Sequence, residues 1–168
     1  GTSQITINPS SNFDSLIEYY VLIDASAFDD SSSNSYAGIS STTDLSFTTV
    51  NAVPTLSSSV PADNATGVDI DANIVLNFSE SVDAESGNIT IKKTSDNSTV
   101  ETIDVTSGQV TGSGTSQITI NPSSNFIGST EYYVLIDASA FDDSSSNSYA
   151  GISSTTALSF TTTNTLPT

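Results

Sequence analysis

The chain has 168 residues and a net charge of −17, since 19 Asp and Glu side chains are balanced by only two Lys and by no Arg or His. This composition excludes the basic face with which proteins neutralise nucleic-acid phosphates or anionic lipid headgroups. Because Cys and His are absent, it also excludes a disulfide framework, thiolate metal sites and Ser-His or Cys-His catalytic pairs, so we expect no enzyme.

Residues 1–51 are predicted to form three short strands and the loops between them. Apolar and polar residues alternate at 4–8, 18–23 and 45–49, which is the pattern of half-buried strands. Three strands cannot enclose a core of their own, so we expect their apolar face to be exposed. We therefore interpret residues 1–51 as the C-terminal half of a domain.

Residues 52–164 carry the signals of a complete domain. Pro54 favours a linker or an edge strand, because proline cannot donate to a central ladder. The clearest strand signal is the alternating run at 68–79. Further strands are predicted around 89–92, 100–105, 118–120, 131–136 and 158–161. About seven short strands, with turns roughly every 8–12 residues, are typical of an antiparallel immunoglobulin-like β-sandwich. Residues 165–168 are interpreted as the start of the next linker.

Two adjacent tyrosines open the predicted strand at 131–136. Tyr132 has the parity of Val134 and Ile136, so its hydroxyl is placed to bond back to the preceding corner, as in a tyrosine corner. The alternative is a Tyr that simply packs in the core. Tyr133 is then predicted to point outward, where its ring can stack on a sugar.

The chain contains one sequence twice. Residues 114–162 repeat residues 1–49 at an offset of 113 (114 − 1), and only positions 14–17 and 44 differ. A fixed period of this kind indicates a tandem array. This repeated stretch, the back half of the domain, is present twice, whereas the front half, residues 53–111, is present once. Either the chain is a piece of a longer array, or residues 1–50 complete the front half in a permuted domain. Competition between two back halves for one front half favours open-ended exchange, which builds fibres.

The complete copy resembles the bacterial Ig-like repeats of large surface adhesins and S-layer-associated proteins. The motifs are, in chain order, Pro61, Gly67, Asn-Phe-Ser-Glu at 77–80 followed by Val82, the Tyr-containing strand at 132–136, the loop at 142–147 and Phe-Thr-Thr at 160–162. Ser146 stands where that loop often carries a Gly. The resemblance implies a secreted, end-to-end structural module without catalytic activity.

An Asp- and Asn-rich loop, present in both copies, is the candidate for metal binding. Calcium takes six to eight oxygen ligands, chiefly from carboxylates and carbonyls. The candidate ligands are Asp24, Asp29, Asp30 and Asn34 in the first copy and Asp137, Asp142, Asp143 and Asn147 in the second. The spacing is not that of an EF-hand, and the alternative is an Asx turn whose polar groups are satisfied locally.

These observations predict a non-catalytic spacer in the stalk of a large extracellular bacterial adhesin or surface protein. One alternative is a self-assembling fibre subunit completed by strand or half-domain exchange, and another is a calcium- or carbohydrate-binding module. The expected partners are neighbouring repeats of the same polypeptide or identical chains, with any surface or glycan target carried by other domains. No apolar run approaches the ~20 residues of a membrane span, and the expected location is the bacterial cell surface.

Overall fold

The computed structural model describes residues 3–11 and 13–164, and the chain divides into two compact units, Gly1–Ala52 and Val53–Thr168. All regular secondary structure in the described residues is β-strand. Within them, no helix has the length and apolar character needed to cross a membrane. The predicted linker at 165–168 lies outside the described residues.

The first unit contains a two-stranded antiparallel sheet. It is formed by β1 (Glu18–Tyr20) and β2 (Ser46–Thr48), with Tyr19 opposite Phe47. The strands predicted at 18–23 and 45–49 are therefore confirmed, although both are shorter than predicted.

The second unit is built from ten strands within its described residues. They are β3 (Leu56–Val60), β4 (Ala65–Val68), β5 (Ile74–Ala84), β6 (Asn88–Lys93), β7 (Thr99–Asp104), β8 (Val110–Thr111), β9 (Thr115–Ile120), β10 (Glu131–Ile136), β11 (Phe141–Asp142) and β12 (Ser159–Thr162). One sheet has the order β4-β12-β10-β6-β7, and the other has the order β11-β5-β9-β8 with β3 paired to β5. All pairs are antiparallel except β4 with β12, which is parallel.

The core lies between these two sheets. Alternate residues of β5 point into it, so that Ile74, Leu76 and Phe78 are buried. On the opposite sheet, Ile91 of β6 lies beside Val134 of β10, and both are fully buried. The predicted antiparallel β-sandwich is confirmed.

The structure has more strands than the seven predicted, partly because one predicted strand is divided. The alternating run at 68–79 contains a turn, in which the Ala72 amide donates to the Asp69 carbonyl at 3.2 Å. This turn carries the chain from β4 in one sheet to β5 in the other. Both segments alternate because each has one face on the core, so the pattern alone does not show the break. Pro54 is followed by β3, which pairs with β5 alone, as an edge strand does.

The strand predicted at 4–8 is wrong. These residues form no strand in the structure. Their counterpart in the second unit, β9, pairs with β5 and β8. Both partner strands belong to the front half, and the first unit has no front half of its own, so residues 4–8 have no ladder to join.

The tyrosine corner is confirmed. The Ile127 amide donates to the Tyr132 hydroxyl at 2.8 Å, and the Tyr132 ring is fully buried. Its ring centroid lies 4.9 Å from that of Phe126 and 5.7 Å from that of Phe160. The hydroxyl thus fixes the corner while the ring fills the core.

Candidate functional site

Two strands and the corner before them are the same in the back halves of both units. Glu18, Tyr19 and Tyr20 pair with Thr48, Phe47 and Ser46, in the register that β10 and β12 show 113 positions later. The Asp14 amide donates to the Tyr19 hydroxyl at 3.0 Å, which reproduces the tyrosine corner. This strand pair and its corner therefore form with or without a front half beside them.

The two copies differ in what covers their apolar side. Phe47 is 39% exposed and Leu45 is 43% exposed, whereas their counterparts Phe160 and Leu158 are each 1% exposed. In the second unit the front half lies over this side, and the first unit contains no such segment. We call this side of the first unit the open face; it comprises Ile5, Ile7, Phe28, Tyr36, Leu45 and Phe47, all of which are exposed. The exposure predicted for the apolar side chains of residues 1–51 is confirmed.

A surface groove runs across part of the open face. Its lining includes Ile5, Ile23, Phe28 and Tyr36. In the second unit the counterparts of these residues are Ile118, Ile136, Phe141 and Tyr149, all buried. There the Phe78 ring of β5 lies 5.4 Å from the Phe141 ring and 5.2 Å from the Tyr149 ring, between centroids. The groove thus has the lining that holds the Phe78 ring in the complete domain.

The predicted metal-binding loops are closed by hydrogen bonds of their own. The Asp143 carboxylate accepts bonds from the Ser145 and Asn147 amides at 2.8 and 2.9 Å, and from the Asn147 side chain at 2.9 Å. Asp30 and Asn34 repeat this arrangement in the first unit. The hydrogen bond from the Asn34 side chain, with those from backbone amides, lowers the pKa of Asp30. This geometry is that of the Asx turn.

The remaining predicted ligands are Asp24, Asp29, Asp137 and Asp142. Asp137 accepts a hydrogen bond from the Asn88 amide at 2.8 Å and so ties the back half to the start of β6. Asp24 and Asp29 are exposed in the first unit. No three acidic side chains in the described ranges are grouped so that they could hold a metal ion. The calcium site stays a prediction.

Asp142 lies among other acids, which the sequence pattern did not indicate. It pairs with Asp83 where β11 meets β5, and its buried Oδ1 has no hydrogen-bond partner in the described structure. Burial raises the pKa of Asp142, and the charges of Asp143 and Asp83 add to the effect. Burial, with the Asp143 charge, likewise raises the pKa of Glu80. These acids converge because of strand register, which periodicity alone does not define.

Tyr133 lies outside the core cluster that contains Tyr132, as predicted for an outward position, but the exposure predicted for its ring is wrong. Tyr133 is buried, and its hydroxyl donates to the Asn97 side chain at 3.1 Å. Asn97 belongs to the loop between β6 and β7, which reaches the Tyr133 side of the sheet. Tyr133 therefore offers no free ring for a sugar, whereas its counterpart Tyr20 is exposed.

Two packed sheets with a tyrosine corner are the architecture of an immunoglobulin-like β-sandwich. The family model of the bacterial Ig-like domain matches residues 50–162, and the chain belongs to this family. No curated protein matches. Among solved structures, the chain is similar to the S-layer protein rSbsC(31-844), at 16% identity and a TM-score of 0.44. That match covers 70% of this chain and 14% of the S-layer chain.

Proposed function

We propose that the chain is a non-catalytic spacer from the stalk of a bacterial surface protein, in which Ig-like domains follow one another in series. The observation that carries this proposal is the family membership of residues 50–162 together with the internal repeat at an offset of 113. Bacterial Ig-like domains are generally structural and non-catalytic. Repeats of near-identical sequence adjust the length of a stalk by their number.

The acidity of the chain is consistent with this role. A net charge of −17 makes neighbouring chains repel one another, which opposes lateral collapse of many stalks on one surface. The charged side chains are spread along the sequence, with the two Lys adjacent at 92 and 93.

The proposal is tested by lengthening the chain. One and two further copies of residues 52–164 are added after residue 164, and the maximum dimension is measured by small-angle X-ray scattering. A spacer increases in length by an equal increment for each added copy. Added copies that fold back, leaving the maximum dimension unchanged, would contradict the proposal.

A further inference from the structure

One strand near the start of the second unit lies beside the last described strand of that unit. β4 and β12 are paired in parallel, with Ala65 opposite Phe160 and Val68 opposite Thr162. Because the two strands run in the same direction, the chain enters β4 at one end of this ladder and leaves β12 at the other end. A pull on the two ends of the unit therefore acts on β4 and β12 in opposite directions along their length.

The direction of a pull determines how the hydrogen bonds between two strands break. These bonds run across the strands, so a pull along the strands loads all of them together. A pull that separates two strands from one end breaks the bonds one after another. Tension between the ends of the unit loads β4 and β12 in the first way.

β3 precedes β4 on the path of this tension. It pairs with β5 alone, so its detachment leaves the β4–β12 ladder in place. The tension then reaches the loop between β3 and β4, which contains Asp63 and Asn64.

This loop is hydrogen-bonded to the start of β12. The Asp63 carboxylate accepts hydrogen bonds from the Ser159 amide at 2.9 Å and from the Ser159 hydroxyl at 3.3 Å. The Asn64 amide donates to the Ser159 carbonyl at 2.8 Å, and at the other end of the ladder the Thr163 amide donates to the Val68 carbonyl at 2.7 Å. We call the ladder together with these bonds the β4–β12 contact.

The β4–β12 contact is shielded from water. Ser159 is 6% exposed and Thr162 is 3% exposed. A hydrogen bond that breaks at a buried position leaves its donor without a replacement partner, so its loss costs more than at the surface. The contact is therefore both loaded along its strands and costly to open.

We infer that the β4–β12 contact resists tension between the ends of the domain, and that Asp63 is the side chain that strengthens it. This inference rests on the proposed spacer role, because domains joined in series carry tension between their ends. The two fail separately. A chain that lengthens with each added copy but unfolds equally fast in every pulling direction keeps the spacer role and loses the inference.

Force spectroscopy in two pulling directions tests the inference. The chain has no cysteine, so a pair of introduced thiols defines where DNA handles attach. Ala52→Cys with Asn164→Cys applies tension between the ends of the second unit, which we call the end direction. Gly108→Cys with Ser145→Cys, in a separate variant, applies tension between two exposed loop positions, which we call the loop direction.

The first comparison leaves the β4–β12 contact unaltered. At the same constant force, we expect unfolding to be slower in the end direction than in the loop direction, on the order of tenfold or more. Equal rates, or faster unfolding in the end direction, would overturn the inference.

The second comparison removes the acceptor of the Ser159 amide. Asp63→Ala is expected to accelerate unfolding on the order of tenfold in the end direction and by no more than about twofold in the loop direction. An equal acceleration in both directions would show a general loss of stability and would overturn the role of Asp63.

Two further variants separate the hydrogen bond from other effects. Asp104 accepts the Thr106 amide at 2.8 Å and the Thr106 hydroxyl at 2.7 Å in the turn after β7, so Asp104→Ala removes similar bonds away from the β4–β12 contact. It is expected to change neither rate by more than about twofold. Asp63→Asn keeps an oxygen acceptor and is expected to stay within about threefold of the unaltered chain. An effect of Asp63→Asn as large as that of Asp63→Ala would assign the effect to the lost charge and overturn the role of the bond.

Discussion

At the scale of single residues, the repeat provides a comparison between the same side chain in two environments. The Tyr132 hydroxyl accepts the Ile127 amide beneath a covered core, and the Tyr19 hydroxyl accepts the Asp14 amide beside the open face. Hydrogen bonds contribute most where a broken one would leave a buried group unsatisfied. The two tyrosine hydroxyls therefore make the same hydrogen bond, but we expect that bond to contribute more to the free energy of unfolding at Tyr132 than at Tyr19.

Tyr132→Phe is expected to lower the free energy of unfolding by about 1–2 kcal/mol, because the Ile127 amide loses its acceptor in a place that water reaches poorly. Tyr19→Phe is the matched control and is expected to cost less, about 0.5 kcal/mol or below, since water can replace the hydroxyl at an exposed site. Urea denaturation followed by far-UV circular dichroism measures both. Equal losses would contradict the argument from burial.

The Asp142 carboxyl is expected to make the stability of the fold depend on pH. Burial and the charges of Asp143 and Asp83 raise its pKa in the folded protein. The folded state then binds the proton more tightly than the unfolded state, so the Asp142 charge destabilises the fold above its folded pKa and has no such effect well below the unfolded pKa.

Asp142→Asn is therefore expected to raise the melting temperature at pH 7 and to leave it nearly unchanged below about pH 3, where the carboxyl is protonated in both states. Asp29→Asn changes the counterpart in the first unit, which is exposed and has no β5 strand beside it. It is expected to have little effect at either pH. Scanning calorimetry across this pH range tests both variants, and a stabilisation by Asp142→Asn that persisted at pH 3 would count against the charge mechanism.

At the scale of elements, β5 is the strand on which the complete domain depends. It pairs with β3, β9 and β11, and its Phe78 ring contacts the aromatic residues of the back half. We expect Phe78→Ala to lower the free energy of unfolding by about 3–5 kcal/mol, the usual cost of removing a buried aromatic ring. Val100→Ala, at an exposed position of β7, should change it by no more than about 0.5 kcal/mol. Chemical denaturation distinguishes these values, and a small effect at Phe78 would show that the core collapses around the gap.

The elements also show how far the sequence predicts the structure. Alternation and turn residues identify the sandwich, and the parity of Tyr132 identifies its corner, because both are local properties. Residues 4–8 alternate as β9 does, yet they form no strand without β5 beside them. Strand formation there depends on a partner far along the chain, which no local pattern records.

One part of the candidate site is predictable from the sequence, and another part is not. The sequence alone indicates the open face, because the strands predicted in residues 1–51 are too few to enclose a core. The approach of Asp83 and Glu80 to the Asp142–Asp143 loop depends on how β5 and β11 pair, and a one-residue slip of register would place different side chains there.

At the scale of the whole molecule, net charge is the dominant property. Acids outnumber Lys by 19 to 2, so repulsion between carboxylates opposes the compact state, and dissolved salt weakens that repulsion. We expect the melting temperature at pH 7 to rise with NaCl between 0.01 and 0.5 M, on the order of a few degrees. A melting temperature that is independent of salt would mean that the carboxylates are too far apart in the folded chain to interact.

The predicted calcium site is tested by adding CaCl2 and measuring stability, with the ionic strength matched by another salt. A specific site with a dissociation constant of roughly 0.1–1 mM, as in extracellular modules, would add about 1.4–2.7 kcal/mol at 10 mM CaCl2. MgCl2 at the same concentration supplies equal ionic strength but demands a stricter octahedral geometry. Asp143→Asn is the control, because it removes one charge from the loop and keeps an oxygen for the Ser145 and Asn147 amides. Stabilisation by calcium beyond magnesium that Asp143→Asn removes would establish the site in the second unit, whereas equal effects of the two cations would assign the whole response to screening.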